Sequence, residues 1–592
     1  MATRERPAHL RTTQAVTLAA GIAAAVPGAS SSAGGGRAPC EDPVPFYEDG
    51  RTDGPICAER PGEDIVVIDL GDDWTPLMFS ETPEHPLAYR STFLALANES
   101  LGNQPGLRTA RRDRFYELFG VFPSLGVIGR RLLDSERHAC HAAIDDGPLK
   151  TISRTLAPGA SPAGEGASRS AVIQVVQAHL TCEGLLAGAA RAGSFDAATQ
   201  EALALYQRRH MIPSRPLLDR ETRETMLLPS LELDFRTLLR TLRERVADAA
   251  SLVEDGSAAA AWTPVLGRFI DSPEYRPPLR PQPLPGAAPD RVDPAVERAA
   301  IALGWTSPEA AVEALRRGVP PRAAVRLPAP PSYAGRIVDI RAEIDRGDVW
   351  KSYPFDSEGR PRASPAKNRP TLTLFAVTPE GEVPLVRWPT TIGAWKEEKQ
   401  ADERVALRYK ASPVGRAYWR DLLVAPVWFP PPTTPDRELM QRRGADEWAA
   451  DDDAIGPGYR SAYGLVALLH LRAADPGTGI ESLSDLAIRT HGSGNYRSIL
   501  RGSSHGCHRL FNHLAIRLAS YLLAHHGYER QGKMAGTYAR TLRWRDHTVQ
   551  VRRDGRGYRY ELQPPITVDV LPGRTVRSRA AAPAELIVTP PK

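Results

Sequence analysis

The chain has 592 residues, a formal net charge of only +5 and an ordinary hydrophobic fraction of 42%. Such a length holds about two to four domains with sizeable cores. A near-balanced charge, with no basic run interleaved with aromatics, argues against a nucleic-acid partner.

The N-terminus has the build of an export signal. Arg4, Arg6 and Arg11 precede a short apolar run from Val16 to Val26, ended by Pro27, and Ser31-Ser32-Ala33 offers small residues for cleavage near Gly34. Residues 1–33 are therefore expected to be a signal peptide, sending the protein to the periplasm or cell envelope. The run is too short to span a bilayer comfortably and no later stretch is longer, so no stable membrane span is expected after cleavage. Export favours disulfides, and five cysteines leave one thiol over. If Cys507 is that thiol, Cys40, Cys57, Cys140 and Cys182 remain for two bridges. Chain order suggests Cys40–Cys57 and Cys140–Cys182, one of the three pairings four cysteines allow.

Residues 34–167 read as a partly helical region. Residues 34–62 are rich in Gly, Pro and acidic side chains and read as irregular. Asp64 opens an apolar run suited to a strand, and 89–100, 111–120 and 128–143 carry apolar residues at helical spacing. In residues 168–229, Val172, Val175, Val176 and Leu180 make one helical stripe. Gly193-Ser-Phe-Asp and Leu218-Asp then open two further helices with Asp196 and Asp219 at the N-cap positions. This pattern resembles a three-helix peptidoglycan-binding module, with Cys182 and the basic Arg208-Arg209-His210 turn as departures from it. Residues 230–334 read as helices and Pro-rich linkers: an amphipathic helix over 232–254, a linker at 275–289, one or two helices over 293–317 and a second linker at 320–331.

Residues 335–572 carry the chemistry. Thr371 to Val377 and Val383 to Trp388 flank a Pro-Glu-Gly turn and form a hairpin, with Pro384 placing its second strand at an edge. His491-Gly492 lies ahead of Ser503-Ser504-His505-Gly506-Cys507-His508-Arg509. A thiol nucleophile needs a base and backbone N–H groups to hold the oxyanion it creates; His491 can be the base, and Gly506 lets the backbone turn sharply beside Cys507. Two other readings compete. His505, Cys507, His508 and His513 could ligate a metal, although no paired ligand spacing accompanies them. Cys507 could also be an inert buried thiol, although its glycine, serine and histidine neighbours make a poor apolar core. Asn512 is expected to cap a helix reaching His526, which would put a helix dipole behind the thiol. Val549 to Arg552 and Tyr558 to Leu562 suggest a hairpin, and residues 573–592 a disordered tail.

The His-Gly pair and the Ser-His-Gly-Cys-x-Arg run resemble the signature of L,D-transpeptidases of the YkuD type. Ser412-Pro-Val-Gly415, Ala425-Pro-Val-Trp-Phe-Pro-Pro-Pro and Ser461-Ala-Tyr463-Gly464 extend the likeness over about 370–530. The resemblance implies an α+β multidomain protein: a helical N-terminal region with the three-helix module, then a mainly β catalytic domain. It implies an enzyme that cross-links peptidoglycan stem peptides, as donor and acceptor, through a thioester on Cys507, without cofactor or metal. His491 would be the base, oriented by the Gly492 carbonyl; Gly506 and Cys507 would supply oxyanion donors and His505 would shape the site. Ser504, Arg509 and Tyr463 are the expected substrate-binding residues. Release of the same acyl-enzyme by water, as an L,D-carboxypeptidase or endopeptidase, and a non-catalytic wall-binding protein are the alternatives.

Overall fold

The computed structural model describes residues 40–72, 74–79, 125–157, 166–186, 190–212, 217–267, 282–356, 360, 362, 364–402, 404–442, 447–457, 461–473 and 482–576. The expected signal peptide and the helices at 89–100 and 111–120 lie outside these residues. Among the described residues, no helix is long and apolar enough to cross a membrane.

A four-stranded sheet opens the fold, in the order Arg51–Cys57, Pro43–Glu48, Arg322–Arg326, Ile65–Asp69. Two expectations change here. Residues 34–62, read as irregular, contain an antiparallel hairpin turned at Asp49 and Gly50, both at positive φ. The presumed linker at 320–331 holds Arg322–Arg326, in which Ala323, Ala324 and Val325 are fully buried. Local Pro and Gly content signals a loop in both places, but long-range pairing such as Phe46 with Ala324 makes the strands. The run 128–143 is two helices, Leu125–Leu133 and Ser135–Ala142. Asp134 breaks them and caps the second by accepting from the Arg137 N–H at 3.0 Å.

A short helix, Gly147–Thr151, precedes three more, Gly166–Cys182, Ala197–Arg209 and Arg220–Met226. Asp196 and Asp219 accept from the N–H groups of Thr199 and Thr222, each at 2.9 Å, as N-cap carboxylates do. Val172, Val176, Leu180, Leu203, Tyr206 and Met226 form their shared core. The Cys140–Cys182 disulfide joins this unit to helix Ser135–Ala142. Beside it, the buried Glu183 carboxylate takes Arg137, Arg209 and His141 at 3.2, 2.6 and 3.1 Å.

Helix Ser230–Ala249 ties the regions together. Phe235, Leu238, Leu239, Leu242 and Val246 are fully buried, as the apolar stripe requires, but its charged face is buried too. Arg240 donates to the His210 carbonyl at 3.1 Å, Arg245 to the Asp69 and Gly71 carbonyls at 2.8 Å, and Glu244 pairs with Arg517 at 2.6 Å. Arg243 pairs with Asp293 of the following helix, Val292–Ala302.

The C-terminal half is built on a nine-stranded sheet. Its order is His508–Phe511, Leu483–Ser493, Val466–Ala473, Gly415–Val424, Tyr558–Val570, Asp339–Asp345, Thr371–Thr378, Gly381–Pro389, with Tyr528–Lys533 also pairing with Tyr558–Val570. Gly381–Pro389 does lie at the edge, with a register irregularity around Pro384. Trp388, Trp419 and Tyr560 are buried in the core between the sheet and helix Asn512–His525. The expected hairpin of 549–552 with 558–562 does not form: His547–Asp554 pairs with Thr537–Trp544, and Tyr558–Val570 crosses the sheet centre. Arg574–Val576, assigned to a disordered tail, pairs in parallel with Asp348–Trp350.

Because Glu183 is shared by two guanidiniums and an imidazole in a buried place, losing it should cost about 3–5 kcal/mol. Glu183→Ala should therefore lower the urea midpoint markedly, and an unchanged midpoint would refute the assignment.

Candidate active site

The interval between His491 and Cys507 is a crossover. Leu483–Ser493 and His508–Phe511 are parallel, so they cannot be joined by a tight turn and need a connection of about a dozen residues or more. Helix Tyr496–Arg501, capped by Asn495 on the Ser498 N–H at 3.1 Å, lies within that connection. Thr490 pairs with His508 and His491 with Arg509, so Cys507 falls beside Arg489. Side chains two residues apart share a face of a sheet, which sets Arg489, Cys507, His491 and Arg509 on one side. Thr490 and His508 go to the other.

The His508–Phe511 strand is at the sheet edge, and threonine hydroxyls take the place of a further strand. Thr391 Oγ1 donates to the Cys507 carbonyl at 2.6 Å and accepts the Arg509 N–H at 2.9 Å; Thr390 Oγ1 donates to the Arg509 carbonyl at 3.0 Å. No local sequence signal marks these threonines, because their partners lie more than a hundred residues away.

Cys507 is half-buried and is the free cysteine among the described residues; Cys40 and Cys57 are both disulfide-bonded. Burial pushes its thiol above the usual value, opposed by the nearby Arg489 guanidinium and backbone N–H and by Arg509. The His491 Nδ1 lies 2.8 Å from the Gly492 carbonyl, as expected. A carbonyl only accepts, so Nδ1 carries the proton and Nε2 keeps its lone pair. Burial first, and then Arg509, lower the His491 pKa to about 3. Tyr463 sets its ring against this imidazole, with centroids 5.1 Å apart, and burial raises its own pKa. Gly464 has φ +60, and a Cβ there would lie 2.7 Å from the Gly492 carbonyl carbon. That glycine lets the Tyr463 turn sit on the His491 strand.

Three expectations are corrected. Ser504 does not face substrate: it is fully buried, donating to the Cys507 carbonyl at 2.7 Å and accepting the Gly506 N–H at 3.1 Å. The Gly506 N–H, expected as an oxyanion donor, is thereby occupied. Finally, no helix begins at the thiol. The strand His508–Phe511 intervenes, Phe511 holds the cap position of the next helix, and Asn512 lies inside it. His505 is exposed beside Cys507, its pKa lowered to about 4 by desolvation and then by Lys396, Arg509 and Lys410. Gly506 has φ +114. Arg509 donates to Ser498 Oγ at 3.0 Å.

Behind the site, His470 is fully buried. Trp419 Nε1 donates to its Nε2 at 3.0 Å, with Thr490 Oγ1 at 2.8 Å and His508 Nδ1 at 3.3 Å. An indole only donates, so His470 Nε2 is unprotonated. His508, an unexplained polar residue in the motif, is a member of this network. No three of His505, Cys507, His508 and His513 bring their donor atoms together as metal ligands would.

A thiol and a neutral imidazole on adjacent parallel strands at a sheet edge thus define the site. Residues 368–550 match the family model of YkuD, the L,D-transpeptidase catalytic domain, so the chain carries a domain of a peptidoglycan-modifying enzyme family. The sheet extends past this match, to Asp339–Asp345 and Tyr558–Val570. No curated protein matches the chain.

Two outcomes follow. With a raised thiol and an imidazole of pKa about 3, the resting pair is neutral rather than thiolate–imidazolium. Alkylation of Cys507 by iodoacetamide should be slow at pH 7 and keep climbing with pH through the alkaline range without a plateau near neutrality; a rate already on its plateau at pH 6 would mean an ion pair. Thr391→Val should orphan the Arg509 N–H, cost about 1–3 kcal/mol and speed hydrogen exchange at that amide.

Proposed function

We propose that the protein is an L,D-transpeptidase that cross-links peptidoglycan stem peptides through a cysteine acyl-enzyme. The observation carrying this reading is the shared face of Cys507 and His491, with His491 Nδ1 tied to Gly492 so that Nε2 holds the lone pair.

His491 Nε2 takes the thiol proton as Cys507 Sγ attacks the carbonyl of an L,D peptide bond in a tetrapeptide donor. Because the pair rests neutral, proton transfer accompanies carbon–sulfur bond formation rather than preceding it. Collapse of the tetrahedral intermediate gives the thioester; the leaving amine of the terminal D-residue takes the proton back from His491. An amine of a second stem then attacks the thioester, gives up a proton through His491, and leaves the cross-link and the free thiol. The Cys507 N–H and the protonated Tyr463 hydroxyl are the donors we assign to the oxyanion. His505 shapes the entrance and Arg509 contacts substrate. The three-helix unit at 168–229 we read as a wall-directed module, and residues 335–572 as the catalytic domain of an exported protein. That module is no loose appendage: Arg208 donates to the Gly494 carbonyl and its guanidinium lies 4.3 Å from the Tyr496 ring centroid, close to His491.

Mixing the protein with a tetrapeptide donor and excess acceptor stem should yield cross-linked dimer by mass. Cys507→Ala should abolish it, and a carbapenem, the inhibitor class the resemblance implies, should add its mass at Cys507. His491→Gln should fold and lose about 10²–10⁴-fold in rate. Tripeptide alone at every acceptor concentration would make the protein a carboxypeptidase; full activity in Cys507→Ala would end the reading.

A further inference from the structure

Two cations beside the thiol, Lys396 and Arg509, make no ion-pair contact among the described residues. The strand pair Trp395–Lys399 and Val405–Tyr409 projects next to the Ser504–Cys507 turn. Its base is fixed there: the Lys410 N–H donates to the Ala394 carbonyl at 2.8 Å, and the Ser412 and Ile392 N–H groups donate to the Ile392 and Gly502 carbonyls at 2.7 and 3.3 Å. A Cβ on Gly506 would come within 3.4 Å of the Ala411 carbonyl oxygen, so this base lies directly against the residue before Cys507.

Lys396 and Glu398 are two apart on one strand and therefore share a face. Glu398 is already satisfied, since it pairs with Lys410 and accepts from Thr433 Oγ1 at 3.0 Å. Lys396 has no carboxylate within 4.0 Å among the described residues; Glu438 is close enough to attract it without pairing. Its field reaches both His505 and Arg509. Arg509 likewise has no carboxylate partner among the described residues. Its guanidinium makes one bond, to the neutral Ser498 hydroxyl, and its Nε is buried without a partner. The other cations near the thiol are neutralised, Arg489 by a two-pronged pair with Asp485 at 2.6 Å and Lys410 by Glu398. Two like charges are therefore held in mutual range, partly desolvated, at the mouth of a site whose other charges are balanced. Such an arrangement costs free energy unless an anion completes it.

Resting on the acyl-transfer reading above, we propose that Lys396 and Arg509 form a carboxylate-binding subsite, with Lys396 a specificity-determining residue for the donor peptide. Two carboxylates of a donor stem meet the chemistry: the terminal one of the leaving D-residue, and one on the side chain of the residue that supplies the carbonyl. Binding either would also offset the Arg509 charge that disfavours a protonated His491, so that recognition and base strength rise together.

The test measures acylation of Cys507 against donor concentration for three tetrapeptides: the free acid, its terminal amide, and its side-chain carboxamide. The full-length wild type, Lys396→Met and Lys396→Arg are compared. Losing one charge-assisted contact typically costs about 10–100-fold. Wild type should show a loss of that size, mainly in half-saturating concentration, with the one amide that removes the recognised carboxylate, and so identify it. Lys396→Met should show the same loss with the free acid and no longer discriminate that amide, while Lys396→Arg restores discrimination. Equal discrimination by wild type and Lys396→Met would overturn the subsite and leave the acyl-transfer reading standing. No acylation of wild type by any of the three donors would remove both.

Discussion

The parallel pairing of Leu483–Ser493 with His508–Phe511 is the constraint from which the site follows. Parallel strands need a crossover, and helix Tyr496–Arg501 fills it. Once Thr490 stands opposite His508, the pleat alone decides which side chains meet. His491 and Cys507 go to the face that carries the site, and Thr490 and His508 to the opposite one. A slip of one residue would reverse both sets. The edge position of the second strand leaves backbone groups to be satisfied, and Thr390 and Thr391 do so from a distant segment. The thiol is therefore placed by hydrogen bonds to its own backbone, not by a contact to its sulfur alone.

The regions around this sheet are held by buried charge as much as by apolar packing. Helix Ser230–Ala249 presents Leu and Phe to one core and places Arg240, Arg243, Glu244 and Arg245 against four different neighbours. Each of these charges is either paired or spent on backbone carbonyls, as burial demands. Glu183 does the same for the three-helix unit. Breaking such contacts is costly because a charge is left behind, so they fix relative positions even where their net contribution to stability is modest. Arg208 extends this order to the loop after His491, linking the helical unit to the site in a way no tether could.

Electrostatically the site has two sides. One side holds neutral groups: His470 and His508 are both depressed by burial, and His470 is hydrogen-bonded to Trp419, Thr490 and His508. The other side holds the neutral Cys507–His491 pair among four cations, of which Arg489 is balanced by Asp485 and Lys410 by Glu398. Burial accounts for the neutrality of the pair, and the unbalanced Lys396 and Arg509 give that side its positive character. A neutral thiol is poorly reactive by itself, which ties its activation to what binds beside it.

How much of this was legible in the sequence depends on the range of the interactions involved. The helix starts at Asp196 and Asp219, the stripe of Phe235 to Val246, the edge strand carrying Pro384 and the link between His491 and the Gly492 carbonyl were all readable. Each rests on contacts a few residues apart or on a short motif. Strands at 43–57 and 322–326 were not, because Pro and Gly dominate locally and the pairing that joins Pro43–Glu48 to Arg322–Arg326 spans more than two hundred residues. The same limit hid the inward turn of Ser504, the strand between Cys507 and its helix, and the stitching by Thr391. The sequence by itself determined which groups could do chemistry, since residue type and spacing define a thiol, a base and a tight turn. Only the tertiary structure decided their protonation, their shared face and the unbalanced charges around them, because burial and register arise when distant segments pack together.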